Sequence, residues 1–285
     1  MSRFALQTLY GREKTGHAGS KREWMYTEPY REAQNGNPDK NSEMTSTTTL
    51  GELRAVERWE DRVFYTGMSL AVIASVFRGF ARSYFFRSHY FSTPLAPIGK
   101  VHGAIFVSWT VLLLVQTVLV SRRRTDLHRR LGVVGGVLAG AMVAAGTAIA
   151  IAALRYEFAH GNLRALSFFA IPMGDMIVFP TLVAAAFIWR RQPEVHKRLM
   201  LLATIDILNA AVARWPLAIM AKGPVAFFAV TDLFIAAGVV FDALSRRRVH
   251  PAYVWGGLLI VGSQIARLAV WHTAGWIAFA RLFAA

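Results

Sequence analysis

A chain of 285 residues that is 54% hydrophobic and only 17% charged, with mean hydropathy +0.36, is too apolar for an ordinary water-soluble domain. Its net charge of +15 invites nucleic acid as a partner, but Lys and Arg gather in short clusters at the ends of apolar runs and no basic-aromatic module accompanies them, so that class is set aside. The absence of cysteine excludes disulfides, thiolate metal sites and cysteine nucleophiles.

Residues 1–57 are polar, with Gly, Asn, Asp, Lys and Ser scattered through Gly16–Ser20 and Asn35–Ser42. They carry neither an apolar period nor a signal-peptide core, and are expected to form a flexible tail. Met44-Thr45-Ser46-Thr47 would make a natural start for a compact membrane protein, which raises the expectation that 1–43 is a start-site artefact. Residues 58–285 are then a transmembrane helical domain. Leu50 to Arg62 reads as a short interfacial helix, with opposite charges at helical spacing and Trp59 at headgroup level.

Seven apolar runs follow, each long enough to cross a bilayer as a helix. They cover about Val63–Ala81, Ile98–Val120, His128–Leu154, Leu166–Ile188, Val195–Leu217, Pro224–Leu244 and Pro251–His272, and Thr273–Ala285 is a short amphipathic end. The expected fold is an all-α polytopic bundle of about seven spans, built from helix pairs and solvated by a lipid bilayer. Three basic loops set the pairs apart: Arg122-Arg123-Arg124, Arg190-Arg191 and Arg246-Arg247-Arg248. By the positive-inside rule they lie in the cytoplasm, which puts the N-terminus there too, in a prokaryotic cytoplasmic membrane. Arg82, Arg87 and Lys100, in the first outer loop, count mildly against this orientation.

Each repeat start has local logic. Asp126 and Glu194 sit where exposed N–H groups favour an acid, and Pro193 and Pro251 suit first-turn positions that need no N–H. His128 and His196 come two residues after those acids, about one turn into the membrane, with Arg129, Arg130, Lys197 and Arg198 expected to snorkel to phosphates. Two imidazoles at matching depth are either interfacial residues or an axial pair for haem b. His250 is a weaker third candidate. His102 and His272 form a possible second pair near the outer boundary, whereas His17, His89 and His160 read as surface residues.

A second constellation lies inside the spans: Asp175, Asp206, Asn209, Asp232, Gln264 and Arg267. Charges at that depth are costly and should face one another, as a structural network or as a pathway for a proton, ion or small polar solute. Arg214 is another potential partner for an Asp, and Arg78 with Arg82 could form an anion-attracting rim. Pro172 and Pro180 bracket Asp175 and predict a kink there. Gly132, Gly136 and Gly140, at four-residue spacing, predict a close helix contact. Retinal has no lysine in the last span, phosphate loops are absent, and a zinc hydrolase on His102, Asp175, Asp232 and His272 lacks the HExxH spacing.

The segments Asp126–Gly132 and Glu194–Met200, followed by Ala203-Thr204 and Ala213-Arg214, resemble a group of uncharacterised bacterial multi-pass membrane proteins over most of residues 60–285. That resemblance implies fold and membrane location, and no activity. A His followed by basic residues and Gly at a helix start is also similar to the haem-ligand segments of cytochrome b561-like proteins and haem A synthase, which implies haem ligation by His128 and His196. Three functions stand as expectations: a b-type haem protein in membrane electron transfer, a proton- or ion-coupled small-solute transporter, and a non-catalytic accessory or assembly subunit bound to other membrane subunits. No reaction follows from the sequence.

Overall fold

The computed structural model describes residues 38–284, with side chains from Trp59 onward. The tail up to residue 37, with His17 and most of the supposed start-site artefact, lies outside them. The chain divides into two units, Met1–Leu53 and Arg54–Ala285, and the second is the helical bundle.

Every regular element among the described residues is helical. The helix α1 (Pro38–Phe80) passes into a π-helical turn (Ala81–Phe85) and the short α2 (Arg87–Tyr90). Then come α3 (Pro97–Ser121), α4 (Thr125–Ala159), α5 (Arg164–Phe168) and α6 (Ala170–Ile188). The second half holds α7 (Pro193–Asp206), α8 (Asn209–Val212), a 3-10 turn (Ala218–Lys222), α9 (Pro224–Arg246), α10 (Pro251–Val270) and α11 (Ala274–Ala284).

Among the described residues, six segments are long and apolar enough to cross a membrane: Trp59–Phe85, Pro97–Ser121, Thr125–Ala159, Arg164–Ile188, Pro224–Arg246 and Pro251–Val270. The bundle inverts the soluble pattern. Val137, Leu244, Trp255 and Ile177 are exposed, whereas Asp175, Arg198, Asp206, Asn209, Asp242 and Arg267 are buried. Lipid satisfies the first set, and only the interior can satisfy the second. The molecule is a multi-pass helical membrane protein.

The fifth predicted span, Val195–Leu217, is not one helix. It stops at Asp206, resumes for one turn in α8 and ends in the 3-10 turn. It still crosses the bundle. Glu194 reaches Arg246 at the end of α9, while Met220 packs with Phe227 and Phe228 at the beginning of α9. Among the described residues, six long helices and one broken helix thus make seven passes through the bundle, and contacts from Glu194 to Arg246 and from His128 to His196 bring the three basic loops to one end, hereafter the basic face.

The core forms along the broken helix. Leu199, Leu202, Ala203 and Ile205 pack with Phe179, Leu182, Trp109 and Ile260. The small α11 caps the far end of α4, where Trp276 Nε1 donates to the Leu166 carbonyl at 2.9 Å and Arg155 Nε to that of Phe283 at 2.9 Å. The glycine stripe does not make the expected contact. A Cβ on Gly132 or Gly140 would meet open space, and only Gly136 touches a neighbour, the ring of Phe187. Close packing on α4 falls to other faces, at Gly135 against Leu112 and Gly146 against Met176.

Candidate functional site

The interruption between α7 and α8 is built from local chemistry. After Asp206 the backbone bonds tighten to i,i−3, with Leu208 N donating to Ile205 O at 3.0 Å and Ala211 N to Leu208 O at 2.9 Å. No Pro or Gly causes the break. The Asn209 side chain instead takes over a freed acceptor, its Nδ2 donating to the Asp206 carbonyl at 2.8 Å. The same Nδ2 donates to Asp175 Oδ1 at 2.9 Å, so one amide ties the broken helix to α6.

Arg267 of α10 enters this junction from the other side. Its Nη1 donates in a short contact to Asp175 Oδ1 and at 3.3 Å to the Ile171 carbonyl; Nε donates to Ser263 Oγ at 3.0 Å, and Nη2 reaches Asp206 Oδ1 at 3.4 Å. Gly174 makes the approach possible: a Cβ there would stand 2.0 Å from Arg267 Nε. Pro180, inside α6, removes one helical N–H just beyond Asp175. Two buried carboxylates therefore share one guanidinium unequally. Asp175 accepts from both Asn209 and Arg267 through Oδ1, while Asp206 Oδ2 is buried with no hydrogen-bond partner among the described residues. Asp232 stands apart from this junction, accepting from Gln264 Nε2 at 2.9 Å one turn before Arg267 on α10.

A second ionic layer lies at the basic face. Arg198 is wholly buried and grips Asp242 through Nε at 2.8 Å and Nη2 at 2.5 Å. This corrects the snorkelling expectation: the side chain turns inward because α9 offers a buried carboxylate, and its Nη1 also meets Glu194 at 2.7 Å. Lys197 does not reach out either, bonding Asp61 at 2.7 Å and Glu194 at 2.6 Å. Arg246 completes the set on Asp61 at 2.5 Å and Asp242 at 3.2 Å. The three acids Asp61, Glu194 and Asp242 balance the three bases Lys197, Arg198 and Arg246. Burial opposes the charged form of Glu194, but hydrogen bonds from Lys197 and Arg198 outweigh it and hold the carboxyl down at about 2. Beneath the layer, the Tyr65 and Tyr253 hydroxyls lie 3.4 Å apart.

No family model, curated protein or solved structure matches the chain. The sites are therefore read from their own chemistry.

The histidines divide. The His128 and His196 rings lie 6.2 Å apart and nearly perpendicular; His196 Nδ1 is held by the Ala186 carbonyl at 2.8 Å, and His128 Nδ1 is buried without a partner among the described residues. His102 rests on the Phe106 ring, whereas His272 meets Ser167 Oγ at 3.3 Å. The outer two thus have different neighbours. His250 caps α10, its Nδ1 accepting from Ala252 N at 3.1 Å; burial, with help from Arg198, pushes the imidazole toward its neutral form. The zinc set is not assembled, since Asp175 turns to Arg267 and Asp232 to Gln264. Arg214 does not join an Asp but lies over the Phe80 ring, and Arg78 over that of Trp215.

Proposed function

We propose that the protein is a proton- or cation-coupled carrier of small solutes, working through Asp175, Asp206, Asn209 and Arg267. One observation carries this reading: a buried carboxylate oxygen, Asp206 Oδ2, without a partner among the described residues, at the interruption of a helix that runs through the bundle. Two carboxylates against one guanidinium leave one negative charge, and an uncompensated charge at mid-membrane costs ~2.5–3.5 kcal/mol on insertion scales. One proton or one monovalent cation at Asp206 removes it. Broken helices with exposed backbone ends are where coupled transporters bind their ions and substrates. Asp232, half-buried with Gln264, offers a polar step beside the cluster. The neutral, interlocked layer at the basic face closes that side, which the positive-inside rule makes cytoplasmic.

The test uses proteoliposomes loaded with a pH-sensitive dye, with a potassium diffusion potential imposed and small amino acids, sugars and organic acids offered in turn. Solute-dependent proton flux in the wild type, lost in Asp206→Asn while the protein stays monodisperse, is the expected result. Equal flux in Asp206→Asn would overturn the assignment.

A second reading is favoured by the His128 and His196 geometry. A His whose Nδ1 is anchored to a carbonyl keeps Nε2 for a ligand, and the apolar groove of about 240 Å³ lined by Gly136, Gly140, Pro180 and Phe187 adjoins the pair through Phe187. His128 and His196 would hold haem b, which would supply one-electron chemistry when bound. Haem supplied during expression should then give a reduced-minus-oxidised Soret and alpha band that His128→Ala removes; a colourless protein ends this reading. A protein both colourless and transport-silent would leave the accessory role.

A further inference from the structure

The loop between the first two crossings carries an unexplained charge. Residues 81–100 include Arg82, Arg87 and Lys100 and neither Asp nor Glu. They lie at the end of the bundle opposite the three basic loops, so they weaken the asymmetry that fixes topology. None of the three has an acidic partner within ion-pair reach among the described residues. Unopposed cations held against the topological preference call for an anion from outside the chain.

Two of these cations, Arg87 and Lys100, line a shaped hollow. A cavity of about 480 Å³ is lined by Tyr84, Arg87, Ser88, Phe91, Thr93 and Lys100, among others. Its walls are fixed. The Tyr84 hydroxyl donates to the Lys100 carbonyl at 3.1 Å, and the ring fills the place where a side chain on Gly103 would stand, with Cε2 2.2 Å from that Cβ position. Arg87 is fixed over the Phe91 ring, 4.6 Å from its centroid, with Nε donating to the Thr93 carbonyl at 3.0 Å and Nη2 to Thr93 Oγ1 at 3.4 Å. A guanidinium has five N–H groups, so donors remain after these contacts. The Lys100 ammonium makes no hydrogen bond among the described residues and is free to close on a ligand from the other side. Two cations lining one hollow with the Ser88 and Thr93 hydroxyls suit a tetrahedral oxyanion, and the aromatic walls suit an apolar body attached to it.

We infer that this hollow binds a phosphate-bearing molecule, with its phosphate between Arg87 and Lys100 and its less polar part against Tyr84 and Phe91. The phosphate can belong to a phospholipid headgroup of the adjoining leaflet or to a soluble organic phosphate. The inference stands apart from the carrier and haem readings, because it shares no residue with either.

The experiment is calorimetric titration of the full chain, in a neutral maltoside detergent, with three probes: dihexanoyl phosphatidylglycerol, dihexanoyl phosphatidylcholine and glycerol 3-phosphate. One saturable site per chain is expected for an anionic phosphate probe, with affinity reduced about tenfold in Lys100→Gln and in Arg87→Gln and unchanged in Arg190→Gln at the other face. Binding of phosphatidylglycerol alone identifies a headgroup site, and equal binding of glycerol 3-phosphate identifies a soluble phosphate site. Arg87→Gln also removes bonds that hold the loop, so Lys100→Gln decides if that variant does not fold. Wild-type affinity in Lys100→Gln, or anionic probes binding no more tightly than phosphatidylcholine, would overturn the inference.

Discussion

At the scale of single residues, the charges inside the bundle behave as sets rather than as pairs. Removing Arg267 leaves Asp175 and Asp206 together without a cation, so Arg267→Ala should cost ~3–5 kcal/mol, the range for breaking one partner out of a buried ion pair. Thermal unfolding in detergent would show it as a large fall in Tm, and Asp175→Asn in the same chain should recover part of that loss; no recovery would mean that packing, not charge, was at stake. Glu194 gives a second, pH-dependent outcome. Its carboxyl is held at about 2 against an ordinary 4.5, so its stabilising contribution is complete above about pH 4.5 and is lost as the pH falls through the folded value. The group is half exposed, so solvent screening keeps this contribution small. The acid limb of a Tm-against-pH curve should be shallower in Glu194→Gln than in the wild type, with the two curves parallel from pH 5 to 8. Asp175, Asp206, Asp232 and Arg267 were legible in the sequence because each interrupts an apolar run. Their partners were not, since the direction a side chain takes around its helix depends on neighbouring helices. Asp242 falls near the end of the predicted span Pro224–Leu244, next to Arg246–Arg248, where an acid draws no notice as an interior charge, and the structure buries it.

At the scale of elements, the informative feature is the broken helix between α7 and α8. Ile205, Ile207 and Leu208 keep hydropathy high across the break, so averaging over a span-length window hides it, and no Pro or Gly marks it. The available signal was Asn209 three residues after Asp206, an amide placed to bond back to a carbonyl. Asn209→Ala should therefore leave the Asp206 carbonyl and one Asp175 contact unsatisfied, at ~1–3 kcal/mol. Asn209→Gln should not restore it, because the longer side chain moves the amide away from both acceptors. Circular dichroism and thermal unfolding of the two variants in detergent would check this; wild-type stability in either would mean that the turn is held by the tight backbone bonds alone. Other boundaries were closer to expectation. The predicted second span, Ile98–Val120, matches Pro97–Ser121, and the predicted end after His272 matches α11. Both are marked by Pro or by a polar step, signals that local chemistry imposes whatever the packing. The glycines of α4 misled because spacing shows that a close approach is possible, and only the packing shows which face has a neighbour.

At the scale of the whole molecule, two ionic layers stand on the same broken helix, Arg198 in one and Asp206 in the other, eight residues or ~12 Å apart by helical rise. Apolar core fills the space between them, with Leu199, Leu202, Ala203 and Ile205 buried there. This arrangement makes a prediction about access. The chain has no cysteine, so a single introduced thiol reports without background. A cysteine at Ala203, between the layers, should resist a membrane-impermeant maleimide applied from the basic face, because the Asp61, Glu194, Lys197, Arg198, Asp242 and Arg246 network closes that side. In the combination Arg198→Gln with Asp242→Asn, neither partner is left as a lone buried charge, so the fold should survive while the link between α7 and α9 weakens. The same cysteine should then be labelled at least severalfold faster from the basic face, and at an unchanged rate from the other. Vesicles of both orientations, with monodispersity checked for each variant, separate the two directions. Equal protection in the combined variant would show that apolar packing alone closes the basic face and that the ion network is a structural cap. Labelling from that face in the otherwise unaltered chain would show that the layer does not close it, and the access argument for a carrier would fail with it.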